Sequence, residues 1–271
     1  MNDESVILRL EGVYKSFGPT EVLRGVDLEI QTGRTTVVIG PSGCGKSVLL
    51  KHMAGLLKPD AGKVFFRRHE VSHLDERHLA PIRRRMGFLF QGAALFDSMT
   101  VEENICFPMV EHRVGTDASR KARAAEVLAM VGLDGLQSRF PEELSGGQKK
   151  RVALARAIAL NPQVIFYDEP TTGLDPIRAD LINELILRLR EALGNTAVVV
   201  THDLASARKV GDRILMLHGG KFILDTTPEE LDHVQDEVVA QFVAGRAGPE
   251  ELAEIDAGRL ARHAQIPETR K

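Results

Sequence analysis

A glycine-rich segment near the start of the chain has the spacing of a loop that binds phosphate groups. It reads Gly40-Pro41-Ser42-Gly43-Cys44-Gly45-Lys46-Ser47 and fits the pattern G-x-x-x-x-G-K-[ST] between a strand pattern and a helix pattern. Its glycines let successive N–H groups point inward, and the following helix adds a positive dipole end. Lys46 could reach the terminal phosphates and Ser47 could offer its hydroxyl to Mg²⁺. We therefore predict a nucleoside triphosphate site, in which Val48 contributes a backbone N–H but no hydroxyl.

An apolar strand pattern further along the chain ends in two acidic residues. Val164-Ile165-Phe166-Tyr167 is followed by Asp168-Glu169, and a carboxylate at the carboxyl end of a buried strand would stand beside the phosphates. Asp168 is the candidate Mg²⁺ ligand, and Glu169 is the candidate base that accepts a proton from an attacking water. Alone, such a pair is only a strand followed by a solvated turn. The phosphate loop makes the catalytic interpretation the stronger one.

A second glycine motif precedes a helix pattern in the middle of the chain. It reads Leu144-Ser145-Gly146-Gly147-Gln148, and its hydroxyl, its N–H groups and the helix dipole suit a second anion site. Together with the phosphate loop and Asp168, it resembles the signature of the nucleotide-binding subunits of ATP-binding-cassette transporters. The resemblance covers about residues 6 to 240. It implies that two chains dimerise head to tail, so that Ser145 of one subunit completes the ATP site of the other.

The same resemblance implies roles for residues outside these motifs. Phe17 would stack on adenine, Gln91 would contact Mg²⁺ and the attacking water, and His202 would meet the γ-phosphate. Gly173-Leu174-Asp175 matches the loop that crosses between subunits. The predicted catalytic residues are Glu169, His202, Lys46 and Gln91, and the predicted Mg²⁺ ligands are Ser47, Gln91 and Asp168. The predicted ATP-binding residues are Phe17, Gly40, Pro41, Ser42, Gly43, Cys44, Gly45, Lys46, Ser47, Val48, Ser145, Gly146, Gly147, Gln148 and Asp175.

The elements that must hold these residues alternate along the chain. We predict strands at Val6–Leu10, Val26–Ile30, Thr36–Ile39, Val64–Phe66, Met86–Phe90, Val164–Asp168, Ala197–Thr201, Arg213–Leu217 and Lys221–Leu224. We predict helices at Ser47–Leu57, Ser119–Val131, Gln148–Leu160, Pro176–Leu193, Leu204–Val210 and near Asp236–Val243. Alternation of this kind indicates a parallel sheet covered by helices. The predicted fold is α/β, a P-loop NTPase (RecA-like) core with an antiparallel β subdomain and an inserted helical subdomain.

We expect an ATPase domain over residues 6–240, with the helical subdomain at about residues 92–160. The polar stretch from Arg67 to Arg85 contains several histidines and is interpreted as a solvated face. The composition changes after Pro228, and residues 241–271 form a C-terminal extension that could clasp a second copy of the chain.

The segment after Gln91 is apolar for a loop. Leu95, Phe96 and Met99 could seat a helix of a partner, or they could form a buried corner between subdomains. The sequence of this segment resembles that of the ATPases of the Mla and Mce lipid-transport systems. The resemblance lies in Phe90-Gln-Gly-Ala-Ala-Leu-Phe-Asp-Ser98, followed by Glu103-Asn-Ile105 and Phe107-Pro108. This resemblance implies phospholipid transport between inner and outer membranes. The implied partners are an integral membrane permease and an MCE-domain lipid-binding protein, with the chain peripheral on the cytoplasmic face of the inner membrane.

Two alternatives remain open: an ATPase for another solute, and a soluble cassette ATPase that acts in translation or DNA repair. The charges weigh against nucleic acid, because 35 Lys and Arg face 38 Asp and Glu, for a net charge of −3. No apolar run reaches the roughly 18 residues that span a bilayer. The two cysteines, Cys44 and Cys106, are too few for a disulfide framework. Cys44 lies in the phosphate loop, where a packing role competes with that of a redox-sensitive thiol.

Overall fold

A computed structural model of the chain describes residues 5–247 and residue 253. The chain divides into two compact units, Met1–Pro228 and Glu229–Lys271. The described residues of the second unit include a short 3₁₀ turn at Leu231–His233 and a helix at Glu237–Val243. The predicted clasp at residues 241–271 lies for the most part outside the described residues.

Ten strands and seven helices make up the described part of the first unit. The strands are β1 (Val6–Phe17), β2 (Thr20–Gln31), β3 (Thr35–Ile39), β4 (Ala61–Phe66), β5 (His69–Glu70), β6 (Met86–Leu89), β7 (Val164–Asp168), β8 (Thr196–Val200), β9 (Arg213–His218) and β10 (Lys221–Thr226). The helices are α1 (Lys46–Met53), α2 (Glu76–Arg83), α3 (Val101–Glu111), α4 (Asp117–Met130), α5 (Gly146–Ile158), α6 (Pro176–Leu193) and α7 (Leu204–Val210). The helix of the second unit is α8 (Glu237–Val243).

A six-stranded sheet in the order β10-β9-β3-β8-β7-β6 forms the centre of the first unit. All of its neighbouring strands are parallel except β10, which is antiparallel to β9. Every residue of β3, β7 and β8 is buried. Strands of a parallel sheet that are covered on both faces are apolar throughout, which explains why these segments read as continuous β-branched and aromatic runs. The predicted α/β fold is confirmed.

A second, antiparallel sheet has the order β2-β1-β4-β5. Its strands β1 and β2 form one hairpin of twelve residues on each side, closed by the pair Phe17↔Thr20. The strands predicted at Val6–Leu10 and Val26–Ile30 are therefore parts of longer strands. The polar ends of this hairpin lack the alternation that marks a half-buried strand. Leu10, Leu28 and Phe66 from this sheet share one apolar core with Leu49 of α1 and Phe166 of β7.

Three helices, α3, α4 and α5, form the helical block in the predicted region. Each helix begins with a reciprocal cap formed by two residues that lie three positions apart in the sequence. Thr100 accepts from the N–H of Glu103, Thr116 from that of Ser119, and Ser145 from that of Gln148. These reciprocal caps satisfy backbone donors at the helix starts and make the boundaries of the block local properties of the chain.

Two helices, α2 and α3, were absent from the sequence prediction, which named no helix between Leu57 and Ser119. The stretch from Arg67 to Arg85 contains α2, whose start is capped by Asp75 and whose Leu79 is buried. Pro81 lies inside α2, and a proline at such a position reads as a helix breaker, which hides the helix in the sequence. The histidines of this stretch, His69, His73 and His78, are exposed. Within residues 5–247, no helix combines the length and the apolar content that crossing a membrane requires.

Candidate functional site

The phosphate loop connects the end of β3 to the start of α1. Gly40, Gly43 and Gly45 have φ values of +148°, +81° and +106°, which residues other than glycine rarely adopt. A Cβ atom at Gly40 would overlap the carbonyl oxygen of Leu217 and would lie 2.9 Å from Sγ of Cys44. The glycine at position 40 is therefore required by space as well as by backbone conformation.

Lys46 places its ammonium group inside this loop. Its Nζ donates hydrogen bonds to the carbonyl oxygens of Gly40 at 2.8 Å and of Pro41 at 2.9 Å. The same Nζ lies 3.7 Å from Oε1 of Glu169, and only 6% of the lysine side chain is exposed. A positive charge is thus fixed between the loop and the acidic end of β7, where anionic phosphates would be attracted.

Ser47 and Asp168 bring two oxygen atoms together at the first turn of α1. The hydroxyl of Ser47 donates to Oδ1 of Asp168 at 2.7 Å. Burial raises the pKa of the Asp168 carboxyl, and the hydrogen bond from Ser47 opposes that shift. Hydroxyl and carboxylate oxygens are hard ligands that Mg²⁺ prefers, and a cation would relieve the buried negative charge. The donor set therefore fits Mg²⁺.

Glu169 has an uncommon backbone conformation and is held by several hydrogen bonds. Its φ is +48°, an uncommon value for a residue with a side chain, and its N–H donates to the carbonyl of Val200 at 2.9 Å. Its carboxylate oxygen Oε2 lies 2.8 Å from Nδ1 of His202 and accepts from the Thr172 hydroxyl at 3.2 Å. The carboxylate is buried, whereas 51% of the His202 side chain is exposed. The other ring nitrogen of His202 can therefore meet a ligand.

One cavity of about 340 Å³ joins these groups. It is lined by Phe17, Val22, Ser42, Gly43, Gly45, Lys46, Ser47, Val48, Gln91, Glu169 and His202. Phe17 stands at the edge of the site and is 48% exposed, as a ring that stacks on a base would need to be. Gly40 and Pro41 meet the site through Lys46, and Asp168 meets it through Ser47. Residues from both sheets and from the phosphate loop therefore converge on one place.

The second glycine motif does not line this cavity, and neither does Asp175. Ser145 caps α5 and Asp175 caps α6, accepting from the N–H groups of Gln148 and Arg178. A Cβ atom at Gly147 would lie 3.5 Å from Cδ of Arg178. The start of α5 thus adjoins the start of α6 in the same chain, while Ser145 and Gly146 are exposed. The structure does not bring Ser145, Gly146, Gly147, Gln148 or Asp175 to the phosphate loop of their own chain.

The apolar segment after Gln91 is hydrogen-bonded to a buried asparagine and is partly exposed. Buried Asn104 donates to the carbonyls of Phe96, Met99 and Thr100 and accepts from the N–H of Phe96. Phe96 packs on Phe107 at 4.6 Å between ring centroids and remains 40% exposed. Leu95 and Met99 are half-buried. The segment therefore combines a fixed backbone with an exposed aromatic ring, and only part of it is a buried corner.

Burial raises the pKa of the Cys44 thiol, although nearby Lys46 acts in the opposite direction. A thiol with a raised pKa is less ionised and less reactive than a free cysteine. The packing interpretation of Cys44, close to Gly40, is thus favoured over the redox-sensitive one.

Sequence reasoning did not identify three residues that touch this site. Val22 of β2 lines the cavity, the Thr172 hydroxyl binds the Glu169 carboxylate, and Lys150 of α5 binds the backbone of the loop after β7. The hydroxyl of Thr172, close behind an acidic pair, is a signal that could have been used. Nothing in the run Lys149-Lys150-Arg151 distinguishes the middle residue, because its role depends on which face of α5 it occupies.

Comparisons with known proteins agree with this geometry. A family model described as "ABC transporter" matches residues 23–172. The intermembrane phospholipid transport system ATP-binding protein MlaF of Haemophilus influenzae is 40% identical over 233 residues, which is 86% of this chain and 88% of that protein. The probable ribonucleotide transport ATP-binding protein mkl of Mycobacterium bovis is 38% identical over 270 residues, which is 94% of this chain and 75% of that protein.

A solved structure of similar fold is a dimeric ATP-binding cassette in a post-hydrolysis state, bound to ADP and Pi. It is 37% identical in sequence, with a TM-score of 0.76, and the match covers 82% of this chain and 98% of that chain.

Proposed function

Because the chain belongs to the ABC transporter family and is an ATP-hydrolysing subunit, we propose that two copies pair head to tail to drive a membrane permease. In the proposed system, the permease moves phospholipid between inner and outer membranes. The observation that carries the ATPase part is the convergence of Lys46, Ser47, Glu169 and His202 on one cavity. The remaining parts follow from the positions of other residues and from the relatives.

In the proposed reaction, ATP lies in the phosphate loop and water attacks the γ-phosphorus. Lys46 and the loop N–H groups hold the phosphates, and Glu169 accepts the proton of the attacking water. Ser47, Asp168 and Gln91 would hold Mg²⁺, which supplies positive charge against the phosphates as negative charge develops. His202 orients the Glu169 carboxylate through Nδ1 and presents its other ring nitrogen toward the γ-phosphate. Phe17 stacks on adenine.

The proposed dimer accounts for the exposed start of α5. Ser145 and Gly146 offer a hydroxyl, the exposed backbone of Gly146 and a helix dipole, yet they do not reach the phosphate loop of their own chain. A second copy that is turned head to tail would bring this motif to the γ-phosphate, where it stabilises the transition state. Asp175, at the start of α6, would lie at the same interface. The similar cassette bound to ADP and Pi is itself a dimer.

The proposed permease contact is the segment after Gln91. Exposed Phe96 can seat an apolar helix, and the hydrogen bonds of Asn104 to the carbonyls of Phe96 and Met99 hold the backbone of the segment. Its position directly after Gln91, which lines the ATP cavity, would link permease movement to the state of the nucleotide. In this arrangement the chain is peripheral, on the cytoplasmic face of the inner membrane.

The choice of phospholipid as the substrate has two supports. The sequence of the segment after Gln91 resembles that of lipid-transport ATPases, and the chain is similar to a protein named for intermembrane phospholipid transport. An MCE-domain lipid-binding protein is the further partner that this proposal includes. Another solute is the second candidate, because a relative of similar identity is named for probable ribonucleotide transport. A role with nucleic acid is not part of either proposal.

The test is reconstitution of the chain with its permease in vesicles that contain a fluorescent phospholipid. We expect ATP-dependent movement of the lipid and co-purification of phospholipid with the complex. The same vesicles with the Glu169→Gln chain are the control and should show no movement. Stimulation of ATP hydrolysis by a ribonucleotide or another solute, with no movement of lipid, would overturn the phospholipid proposal and leave the ATPase assignment intact.

A further inference from the structure

Lys150 of α5 is a buried cation whose hydrogen bonds all go to backbone carbonyl groups. Only 6% of the residue is exposed. Its Nζ lies 3.3 Å from the carbonyl oxygen of Glu169, 2.7 Å from that of Pro170 and 2.8 Å from that of Thr172. An ammonium group has three hydrogens, so these three acceptors use its full capacity to donate.

This arrangement opposes the solvation preference of the group. Burial lowers the pKa of the Lys150 ammonium, because a charged group loses favourable interactions with water. Three charge-assisted hydrogen bonds offset that loss. A leucine or methionine would fill the same space with no charge to desolvate, but it would leave the three carbonyls without these donors. The contribution specific to a lysine is therefore the hydrogen bonding that fixes the position of the three carbonyls.

The three carbonyls belong to the loop that begins with Glu169. From the sheet side, this loop is tied by the hydrogen bond from the Glu169 N–H to Val200. Lys150 ties it from the helix side. Between these two anchors Glu169 keeps its φ of +48°, a conformation that persists only when its surroundings impose it.

The other end of α5 makes a related contact. The guanidinium group of Arg156 donates to the carbonyls of Ala93 at 3.0 Å and Ala94 at 2.7 Å, directly after Gln91. One helix thus contacts both the loop of Glu169 and the segment after Gln91, and the same helix is capped by Ser145. A shift of α5 would therefore affect the loop of Glu169, the segment after Gln91 and Ser145 together.

We propose that Lys150 is a positioning residue for ATP hydrolysis, which fixes the Glu169–Thr172 loop to α5 and so sets the direction of the Glu169 carboxylate. This inference rests on the proposed role of Glu169 as the base. It predicts that the Glu169 carboxylate is correctly aimed only while α5 lies against the loop.

The experiment compares variants of the full chain. Lys150→Met keeps the apolar length and removes all three donors, while Lys150→Arg keeps a cation with several donors. For Lys150→Met we expect kcat to fall roughly 10- to 100-fold, with an unchanged dissociation constant for ATP. Lys150→Arg should recover part of the lost kcat.

Arg151→Met is the matched control for stability. Arg151 is the next residue of α5, and its guanidinium donates to the carbonyls of Val131 and Gly132 inside the helical block. This variant also loses cation–carbonyl hydrogen bonds, so its melting temperature should fall, but its kcat per folded molecule should stay at the wild-type value. An equal loss of kcat in Arg151→Met and Lys150→Met would show a purely structural role and overturn the proposal.

Two further measurements separate this inference from the role of Glu169. If Lys150 acts through Glu169, then Lys150→Met should cause no further loss of kcat in a Glu169→Gln background. A wild-type rate for Glu169→Gln would refute the base assignment itself. A wild-type kcat in folded Lys150→Met, with Glu169→Gln inactive, would refute only the role of Lys150. Should Lys150→Met fail to fold, Lys150→Gln is judged by the same criteria.

Discussion

Nδ1 of His202 lies 2.8 Å from Oε2 of Glu169, across the gap between two neighbouring parallel strands. An ionised carboxylate can only accept hydrogen bonds, so Nδ1 is the donor in this pair. The bond joins the residue after β8 to the residue after β7 and keeps the carboxylate turned toward Lys46. The histidine therefore acts on the carboxylate as well as on any ligand that its other ring nitrogen meets.

Replacing Glu169 by Gln should abolish turnover but preserve ATP binding. The amide keeps the size of the side chain but replaces one acceptor oxygen by an NH₂ donor and cannot accept the proton of water, so we expect kcat to fall by a factor of about 10² to 10⁴. ATP should then hold the proposed dimer together, which gel filtration with ATP would detect. Glu191→Gln, at an exposed position of α6, makes the same charge change as a control. Hydrolysis at the wild-type rate by Glu169→Gln would refute the assignment of the base.

The two nitrogens of His202 can be tested separately. The amide nitrogen of Asn mimics Nδ1, whereas that of Gln mimics the outer ring nitrogen. We expect His202→Ala to lower kcat about 10- to 100-fold and His202→Asn to retain several times more activity, because it can still hold Glu169. Steady-state kinetics of His202→Ala, His202→Asn and His202→Gln show how much each ring nitrogen contributes to kcat. Identical rates for Asn and Ala would mean that the Nδ1 contact does not contribute.

Ser47→Ala should raise the Mg²⁺ concentration that half-maximal hydrolysis requires. The change removes one proposed ligand and also removes the hydrogen bond to Asp168, so we expect an increase of about 10-fold or more. A titration with Mg²⁺ after chelation measures it, and the chelated wild-type chain should be inactive. Ser98→Ala, at an exposed position outside the cavity, should titrate like the wild type. No change in Ser47→Ala would remove Ser47 from the metal site.

Two glycines of the phosphate loop should differ in their tolerance of alanine. At Gly43 a Cβ atom meets nothing within 4 Å, so Gly43→Ala costs only the positive φ, about 1 kcal/mol of unfolding free energy. At Gly40 the Cβ atom would also overlap Leu217, and we expect a loss of about 3 kcal/mol. Urea unfolding of both variants tests this ranking. A Gly40→Ala variant as stable as Gly43→Ala would contradict the close approach of Gly40 to β9.

Cys44 should react slowly with iodoacetamide. Because burial raises the pKa of its thiol, the thiolate fraction at any given pH is smaller than in a free cysteine, and the alkylation rate should keep rising above the usual thiol range. The measurement uses the Cys106→Ser chain, which has a single thiol, with a cysteine-containing peptide as the reference. Alkylation faster than that of the peptide at neutral pH would restore the redox-sensitive interpretation.

Local chemistry made much of this protein predictable from the sequence. The phosphate loop and the acidic end of β7 each act within a few residues, so the spacing of their residues was enough to predict them. The core strands were also predictable, because complete burial demands unbroken apolar runs. The prediction missed α2, where Pro81 masks a helix that its Asp75 cap and the burial of Leu79 support. It also missed α3, which contains Pro108 although Thr100 and Glu103 form a reciprocal cap at its start.

The tertiary structure alone decided which distant residues meet. His202 binds Glu169 because β7 and β8 are neighbours in the sheet, although a long helix separates them along the chain. Burial and packing determine the state of the Cys44 thiol, and the orientation of α5 lets Lys150, but not Lys149, bind the backbone of the loop after β7. Side-chain types and short spacings are written in the sequence. The burial of a residue, the neighbour that its helix face contacts and the order of the strands depend on how remote segments pack together and exclude water. No local sequence pattern therefore predicts them.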